Sequence, residues 1–214
     1  MPKIILSSDP KCTEVAVTAL KNGKLIIFPT DTVYGIGAMS NNDNAIRTLF
    51  KIKSRNLERP LPLLIDSDKD LEGITTESAI NLCSLKNKYW PGALTIVFSK
   101  SPSFHSLALA KRNSVAIRIP NHNVLREIIR QVGHPITGTS ANISNEGNSI
   151  SVDEIPDNIK NQVAVIIDDG PSQVNIGSTI IDVSSKQPTI LREGLINKVD
   201  IENILGIKLL QPNQ

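Results

Sequence analysis

The hydrophobic pattern of the chain alternates between two kinds of segment. Short apolar runs bounded by turn residues predict buried strands, and apolar residues three or four positions apart predict helices. The predicted strands are Leu25–Phe28, Leu63–Ile65, Leu94–Phe98, Val115–Ile119, Val163–Ile167, Gly177–Val183 and Thr189–Arg192. The predicted helices carry their apolar residues between Cys12 and Leu20, Ala45 and Phe50, Ala79 and Leu85, Val124 and Val132, and Asp200 and Leu205.

This mixture of strands and helices predicts a fold of the α+β class. Several strands follow one another through turns, whereas others are separated by helices, so we expect one twisted mixed sheet flanked by helices. The sequence contains no internal repeat, low-complexity run or long linker. We therefore expect a single domain over residues 1–214, with a core from about residue 9 to residue 206 and a short C-terminal tail.

Composition narrows the class of protein. Of the 214 residues, 40% are hydrophobic and 21% are charged, which is typical of a soluble globular protein. The net charge of +2 argues against a nucleic-acid surface over the whole chain but permits a local basic groove. Aromatic residues make up only 3%, which argues against a stacking platform for single-stranded RNA.

The N-terminal segment and the cysteines predict a cytoplasmic location. The first residues, MPKIILSSDP, lack the apolar core of a signal peptide, and no apolar run is long enough to cross a membrane. Cys12 and Cys83 fall on apolar faces of predicted helices, so we expect two buried thiols in a reducing compartment. His105, His122 and His134 form no ligand cluster, and we expect no built-in zinc site.

Two neighbouring segments carry candidate chemistry. The turn Pro29–Gly37 combines hydroxyl side chains with two glycines, so it can bring backbone N–H groups and side chains close to a polar ligand. The segment Lys51–Arg55 crowds three cations at the end of the second predicted helix, with Arg59 four residues beyond. Such cations either form a solvated surface that matches the helix dipole or bind an anion such as phosphate, and the charges alone leave both readings open.

Two nucleotide-binding motifs are excluded. Gly133–Ser140 departs from the phosphate-loop pattern, because Thr139 occupies the position of the lysine that reaches the β- and γ-phosphates. Gly35 and Gly37 lack the third glycine and the downstream acidic residue of a dinucleotide-binding fingerprint. We therefore expect any nucleotide to bind without a phosphate loop or a Rossmann fold.

The order of the motifs resembles that of the YrdC-like family of threonylcarbamoyl-adenylate synthases. The motifs are PTDTVYG, K-x-R at Lys53 and Arg55, WPGALT, VAIRIP, S-x-N at Ser140 and Asn142, GSTIID and LREG. Each motif is weak alone, but together they follow the family's order and cover nearly the whole chain. The resemblance implies an α+β fold with a concave basic cavity, in the short single-domain form of the family.

The resemblance also implies an activity, with its substrates and partners. Members of the family combine L-threonine, bicarbonate or CO2, and ATP into threonylcarbamoyl-adenylate and pyrophosphate. The product is passed to a tRNA-modifying threonylcarbamoyl transferase complex, which places it on an adenosine beside the anticodon. Mg2+ accompanies the ATP phosphates without a metal ligand from the protein, and contact with tRNA or other double-stranded RNA is implied as well.

The family pattern assigns roles to particular residues. It implies a catalytic set of Lys53, Arg55, Ser140 and Asn142. It implies ATP contacts from Arg55, Arg59, Ser114, Gly138, Ser140, Asn142 and Arg192. It implies threonine contacts from Thr32, Tyr34, Arg118, Ser178 and Thr179. Within the last group Arg118 grips the substrate carboxylate, and Leu64 departs from the pattern because some members carry a histidine near that position.

Two other readings compete with the synthase. One is a YrdC-like paralogue that binds RNA or a nucleotide in its basic groove without making the adenylate. The other is the related carbamoyl-adenylate domain of hydrogenase maturation proteins, whose acylphosphatase and zinc-finger segments have no counterpart in this sequence. Release of pyrophosphate from ATP that depends on threonine and bicarbonate separates the synthase from the binding module.

Overall fold

The computed structural model describes residues 1–76, 78, 80–143 and 147–211, which form strands, helices and connecting turns. The strands are β1 (Lys3–Leu6), β2 (Ile26–Phe28), β3 (Gly35–Gly37), β4 (Leu63–Leu64), β5 (Leu94–Ser99), β6 (Ser114–Arg118), β7 (Ile136–Thr137), β8 (Thr139–Ser140), β9 (Val165–Asp168), β10 (Thr179–Asp182) and β11 (Thr189–Arg192). The α-helices are α1 (Cys12–Lys21), α2 (Asp43–Ile52), α3 (Cys83–Tyr89), α4 (Asn123–Val132), α5 (Asp157–Lys160) and α6 (Lys198–Leu205). Short 3-10 helices form at Asp68–Leu71 and Leu107–Leu109.

The strands form two sheets, so the α+β class is confirmed but the prediction of one sheet is wrong. The first sheet has the order β1-β9-β2-β3-β8, and the second has the order β11-β10-β5-β6-β4-β7. The chain passes between them at Gly138, because β7 pairs with β4 in the second sheet and β8 pairs with β3 in the first. Hydrophobic periodicity indicates which residues are buried and not which strands pair, so this switch leaves no trace in the pattern.

Two layers of core hold the first sheet in place, and strand β2 contributes to both. Successive residues of a strand point to opposite faces of a sheet. Ile26 and Phe28 belong to the cluster that α1 and α4 cover, whereas Ile27 belongs to the larger cluster that joins residues of both sheets. All three side chains are fully buried, and burial of each stabilises the fold by roughly 1.5–3 kcal/mol.

The predicted elements differ from the structure at the two ends, around α3 and at the short strands β3, β7 and β8, which were not predicted; β3 forms the last three residues of the predicted turn Pro29–Gly37. Strand β1 precedes the predicted core and pairs in parallel with β9, and its four residues are too few to show a period. The prediction that Cys83 is buried is wrong, because α3 begins at this residue and its thiol is exposed, whereas Cys12 is buried as predicted. The predicted helix start at Ala79 lies outside the described residues. Near the C-terminus, part of the segment predicted as a tail contacts β11, because the backbone N–H of Ile190 donates to the carbonyl of Leu210.

The described helices are also too short or too polar to cross a membrane, and none of them meets the length and hydropathy that a span requires.

Two glycines allow the chain to pack closely around the turn between β2 and β3. A Cβ atom at Gly35 would lie 2.6 Å from the ring of Phe28, and a Cβ atom at Gly37 would lie 1.9 Å from the carbonyl oxygen of Thr137. Thr137 also accepts a hydrogen bond from the backbone N–H of Ala38 through its hydroxyl, at 3.0 Å. Glycine at position 37 therefore lets β3 approach the point where the chain crosses from one sheet to the other.

We expect Gly37→Ala to lower the free energy of unfolding by about 1–3 kcal/mol, because the backbone must shift to relieve the contact with Thr137. Gly147→Ala is the matched control, since a Cβ atom there would meet nothing within 4 Å. Urea unfolding followed by circular dichroism gives both values. Equal stability of the two variants would contradict the role assigned to Gly37.

Candidate active site

A cavity of about 480 Å³ contacts residues of both sheets. Its wall includes the turn after β2, the strands β5, β6 and β10, and residues 138–140. Pockets of this size accommodate small molecules and cofactors. The charged side chains that line it in the described part of the chain are four arginines and one carboxylate: Arg55, Arg112, Arg118, Arg192 and Asp182. The cavity is therefore suited to anionic ligands.

Arg118 lies at the end of β6 and is held by three hydrogen bonds. Its Nε donates to the carbonyl of Gly92 at 2.9 Å, its Nη1 donates to Thr32 Oγ1 at 3.0 Å, and its Nη2 donates to Asp31 Oδ1 at 2.6 Å. A guanidinium has five N–H groups, so two remain beyond these partners, one on each terminal nitrogen. Burial lowers the pKa of Arg118, and the Asp31 carboxylate acts in the opposite direction. Because arginine can bind a carboxylate through two N–H groups, this remaining pair makes Arg118 a candidate carboxylate binder.

Hydroxyl groups surround this arginine on the cavity wall. Thr32 Oγ1, which accepts from Arg118, lies 2.9 Å from Thr30 Oγ1. Ser178 Oγ lies 2.8 Å from Thr95 Oγ1, and both residues line the cavity. The structure thus brings the predicted residues Thr32, Arg118 and Ser178 together at one end of the cavity.

The hydroxyls of Tyr34 and Thr179 are engaged elsewhere. Tyr34 lines the cavity, but its hydroxyl donates to the carbonyl of Gly170 at 2.7 Å and accepts from the N–H of Asp169 at 3.0 Å. Burial raises the pKa of Tyr34 to about 12. Thr179 is buried outside the cavity wall, and its hydroxyl donates to the carbonyl of Ile196. Both hydroxyls therefore hold the scaffold and leave the inward surface to other groups.

Lys53 lies behind the cavity wall. It is the C-cap of α2 and is only 1% exposed. Its ammonium donates to the carbonyl of Ser140, to the carbonyl of Asn142 at 2.7 Å and to Asn142 Oδ1 at 3.2 Å. Burial, with a smaller effect of Arg55, lowers the pKa of Lys53 to about 8. The three donors of the ammonium are thus directed at residues 140–142, and the residue shapes the wall instead of facing a ligand.

The segment that Lys53 holds carries two further predicted residues. Ser140 lines the cavity and donates its hydroxyl to Asn142 Oδ1. Asn142 is buried outside the cavity wall and donates through Nδ2 to the carbonyl of Gly147 at 2.9 Å. Gly138 also lines the cavity, and a Cβ atom there would lie 2.6 Å from the side chain of Leu64. A larger residue at position 138 would therefore displace the wall.

The predicted arginines divide between the cavity and the surface. Arg55 lines the cavity and donates to the backbone carbonyls of Arg59 and Pro60, at 3.2 and 2.9 Å. Arg59 itself is exposed and outside the cavity wall. Arg192 lines the cavity and donates through Nε and Nη2 to the carbonyl of Ser178, at 3.0 and 2.8 Å. Burial lowers the pKa of both Arg55 and Arg192, because neighbouring arginines and the loss of water disfavour their charges.

Residues to which the sequence assigned no role also contribute to the site. Asp31 holds Arg118, Thr95 pairs with Ser178, and Arg112 lines the cavity. Asp31 belongs to the PTDTVYG motif, and Thr95 is a polar residue within an otherwise apolar strand, so both carried a signal. Ser114, which was assigned, also lines the cavity.

No cluster of three His, Cys, Asp or Glu side chains that could hold a metal ion occurs among the described residues. The donor set of the cavity consists of arginines, hydroxyls and one carboxylate, which is poor in metal ligands. A cavity of this composition can accept a metal ion that arrives bound to ligand phosphate oxygens.

Comparison with known proteins gives close relatives over most of the chain. A putative threonylcarbamoyl-AMP synthase of Mycobacterium tuberculosis is 35% identical over 192 residues, which cover 90% of this chain and 88% of the relative. The threonylcarbamoyl-AMP synthase of Pyrococcus abyssi is 32% identical over 198 residues, but this chain spans only 58% of its length.

Solved structures show the same similarity at the level of the fold. The P. abyssi Sua5 structure with L-threonine superposes with a TM-score of 0.91 at 30% identity, covering 99% of this chain and 62% of that one. Escherichia coli YciO, at 23% identity and a TM-score of 0.78, shares the fold over 92% of this chain and 97% of its own. The family model Sua5_yciO_yrdC, described as "Telomere recombination", matches residues 18–194. With this match and these relatives, the chain belongs to the Sua5/YciO/YrdC family.

Proposed function

We propose that this chain is an L-threonylcarbamoyladenylate synthase, a nucleotidyltransferase that makes threonylcarbamoyl-AMP and pyrophosphate from L-threonine, bicarbonate or CO2, and ATP. The observation that carries the proposal is buried Arg118, which has two N–H groups beyond its hydrogen bonds to the described residues and lines a cavity with three further arginines. A carboxylate binder in a basic cavity suits an amino acid beside a polyanionic nucleotide. The names of the M. tuberculosis and P. abyssi relatives support the same activity.

In this proposal the threonine lies at the Arg118 end of the cavity. Its carboxylate binds the guanidinium fork, which Asp31 and the Gly92 carbonyl hold in place. The hydroxyls of Thr32 and Ser178 are available to the substrate hydroxyl and amine. Tyr34 contributes the surface of its ring, and Thr179 supports the backbone of residues 194–196.

The nucleotide occupies the rest of the cavity. The residues proposed to contact it are Arg55, Ser114, Gly138, Ser140 and Arg192. Mg2+ bound to the phosphates would neutralise part of their charge and polarise the reacting phosphoryl group. The arginines supply fixed positive charge at the place where an anionic nucleophile must approach a polyanion. Arg59 takes part through its backbone carbonyl, which orients Arg55.

The proposed reaction has two steps. The threonine amine bonds to the carbon of CO2 and loses a proton, which gives a carbamate. A carbamate oxygen then bonds to the α-phosphorus as the bond to the oxygen of the β-phosphate breaks, and pyrophosphate leaves with the negative charge. Positioning and charge carry such a transfer without a covalent enzyme intermediate.

Lys53 and Asn142 act as positioning residues in this scheme. Neither lines the cavity, and both fix the backbone that presents Ser140. Loss of the ammonium would leave two buried carbonyls without their charged donor. The catalytic assignment of Lys53 is thereby revised from direct phosphate contact to support of the phosphate-binding wall.

Release of pyrophosphate from ATP tests the proposal. We expect release that requires L-threonine and bicarbonate together, with threonylcarbamoyl-AMP as the product. Nucleotide or RNA binding without such release would replace the synthase by a binding module.

We also propose that the product passes to a tRNA-modifying threonylcarbamoyl transferase complex in the cytoplasm, with contact to tRNA. Accumulation of threonylcarbamoyl-adenosine in tRNA on adding that complex is the readout for this last step.

Arg118→Lys should weaken threonine binding, because a lysine ammonium cannot form two parallel hydrogen bonds to a carboxylate. Loss of one charge-assisted bond corresponds to about 1.5–3 kcal/mol, or roughly 10- to 150-fold in affinity. Calorimetry with L-threonine measures it. Arg126→Lys is the control, because Arg126 pairs with Asp66 away from the cavity. Unchanged threonine affinity in Arg118→Lys would remove the clamp.

Selectivity among amino acids follows from the hydroxyl groups at this end of the cavity. Serine lacks only a methyl group, so it should remain a substrate with a loss of about 1–3 kcal/mol in kcat/KM. Valine replaces the hydroxyl by a methyl group and leaves polar groups of the site unpaired, so it should react far more weakly than serine. Competition between the three amino acids in the pyrophosphate assay gives the ratios. Equal turnover of valine and threonine would contradict a site that reads the hydroxyl.

Stability should depend on pH through Lys53. The pKa of this residue is about 8 in the folded chain against an ordinary value of 10.5. Between these values the unfolded chain binds more protons than the folded chain, so the free energy of unfolding rises with pH. We therefore expect the wild type to gain stability relative to Lys53→Met over this interval, with no gain below it.

Urea unfolding at a series of pH values measures this difference, and other titrating groups cancel because both proteins contain them. Lys51→Met is the matched control, since Lys51 lies two residues earlier and is exposed. A pH-independent difference between wild type and Lys53→Met would show that the buried ammonium does not titrate in this range.

A further inference from the structure

The cavity contains one feature that the proposed reaction leaves unused, the carboxylate of Asp182. Among the described residues it is the sole acidic side chain on a wall that carries four arginines. Its position on the wall follows from strand alternation, because Ser178, Ile180 and Asp182 line the cavity while Thr179 and Ile181 are fully buried. The side chain is therefore part of the ligand surface and not of the exterior.

Asp182 lies far from the proposed amino acid end. It lies four residue steps along the extended chain from Ser178, a distance of about 13 Å. A carboxylate repels phosphate groups, so a bound nucleotide must keep its phosphates away from this position. The part of the nucleotide that suits it is uncharged and donates hydrogen bonds, which leaves the base and the ribose.

The surroundings of Asp182 favour the base. In the sheet register Asp182 lies beside Val97, and Val97 lies beside Ala116. Both neighbours line the cavity, as do Ile180 and Leu191, so the wall next to the carboxylate is apolar. An apolar wall with a hydrogen-bond acceptor at its margin matches the face and edge of a purine better than it matches a ribose.

One oxygen of the carboxylate is already used and the other is not. Asp182 Oδ1 accepts from the N–H of Ser184 at 2.8 Å and from its hydroxyl at 2.6 Å. Within the described part of the chain, Oδ2 has no hydrogen-bond donor. The turn at Ser184 thus orients the side chain and leaves one acceptor for a ligand.

We infer that Asp182 accepts a hydrogen bond from the 6-amino group of adenine and thereby selects ATP over GTP. The inference rests on the proposed function, which places a nucleotide in this cavity. Adenine presents an amino donor at this position, whereas guanine presents a carbonyl acceptor. An ionised carboxylate only accepts, so it attracts the first group and repels the second.

Nucleotide analogues test the inference on the wild-type protein. Calorimetry would compare ATP, GTP, purine riboside 5′-triphosphate, which lacks the 6-amino group, and 2′-deoxyATP. We expect purine riboside 5′-triphosphate to bind about 10- to 100-fold more weakly than ATP, as expected for a lost hydrogen bond to a charged group. We expect GTP to bind more weakly still. Equal binding of ATP and the analogue without the amino group would overturn the inference.

The variant Asp182→Asn identifies the residue responsible. Its amide oxygen can still accept from Ser184, but the side chain loses its charge and can present a donor. We expect the ratio of ATP to GTP affinity to fall by at least about tenfold, with equal losses for ATP and 2′-deoxyATP. An unchanged ratio would overturn the inference. A loss for ATP that 2′-deoxyATP does not share would also overturn it, because Asp182 would then read the ribose.

Two controls separate this inference from other causes. Ser184→Ala removes one donor to the carboxylate and leaves Asp182 in place, so the ATP to GTP ratio should stay unchanged. A ratio that falls as far in Ser184→Ala would assign the effect to the turn and overturn the inference. The pyrophosphate assay is run in parallel. Wild type that discriminates the nucleotides but releases no pyrophosphate would refute the synthase and leave the role of Asp182 standing.

Discussion

The buried ammonium group of Lys53 is the contact on which the shape of the cavity depends. A charge removed from water is destabilising unless other polar atoms replace the water, and here the backbone of residues 140–142 supplies them. That backbone follows Gly138, where the chain leaves one sheet for the other. Because Arg55 comes two residues after Lys53, the same contact sets the position of Arg55 relative to Ser140, and both line the cavity.

Arg118 and Arg192, two of the four arginines on the cavity wall, are each held by hydrogen bonds to other groups of the chain. Arg118 is fixed by Asp31, Thr32 and a backbone carbonyl, and Arg192 is fixed by the carbonyl of Ser178. Burial lowers the pKa of each, and Arg118 adds to the effect on Arg192. Anion binding therefore relieves an unfavourable concentration of charge, and little reorganisation is needed when it occurs.

Local patterns predicted most helices and the longer strands, whereas β1, β3, β7 and β8 were not predicted. The motif order predicted many residues of the cavity wall, but Lys53, Arg59, Asn142 and Thr179 lie outside it. The division into two sheets was not predictable, because it depends on a change of partner at Gly138 within five residues. The place of Lys53 was not predictable either, since a lysine at a helix end is equally compatible with solvent, a ligand or buried carbonyls. The exposure of Cys83 was not predictable for a similar reason. The apolar spacing predicted that this residue lies within a helix on its buried face, whereas α3 begins at Cys83.

Strand β10 also fixes the distance between two positions on the cavity wall. A strand cannot slip by one residue without turning its inward side chains outward, so the separation of Ser178 and Asp182 is fixed by the register with β5. If the two ends of the proposed intermediate bind at these positions, the length of that intermediate is measured against the strand. An intermediate made longer at either end would then fit less well along this rigid strand, and no conformational change would be needed to reject it.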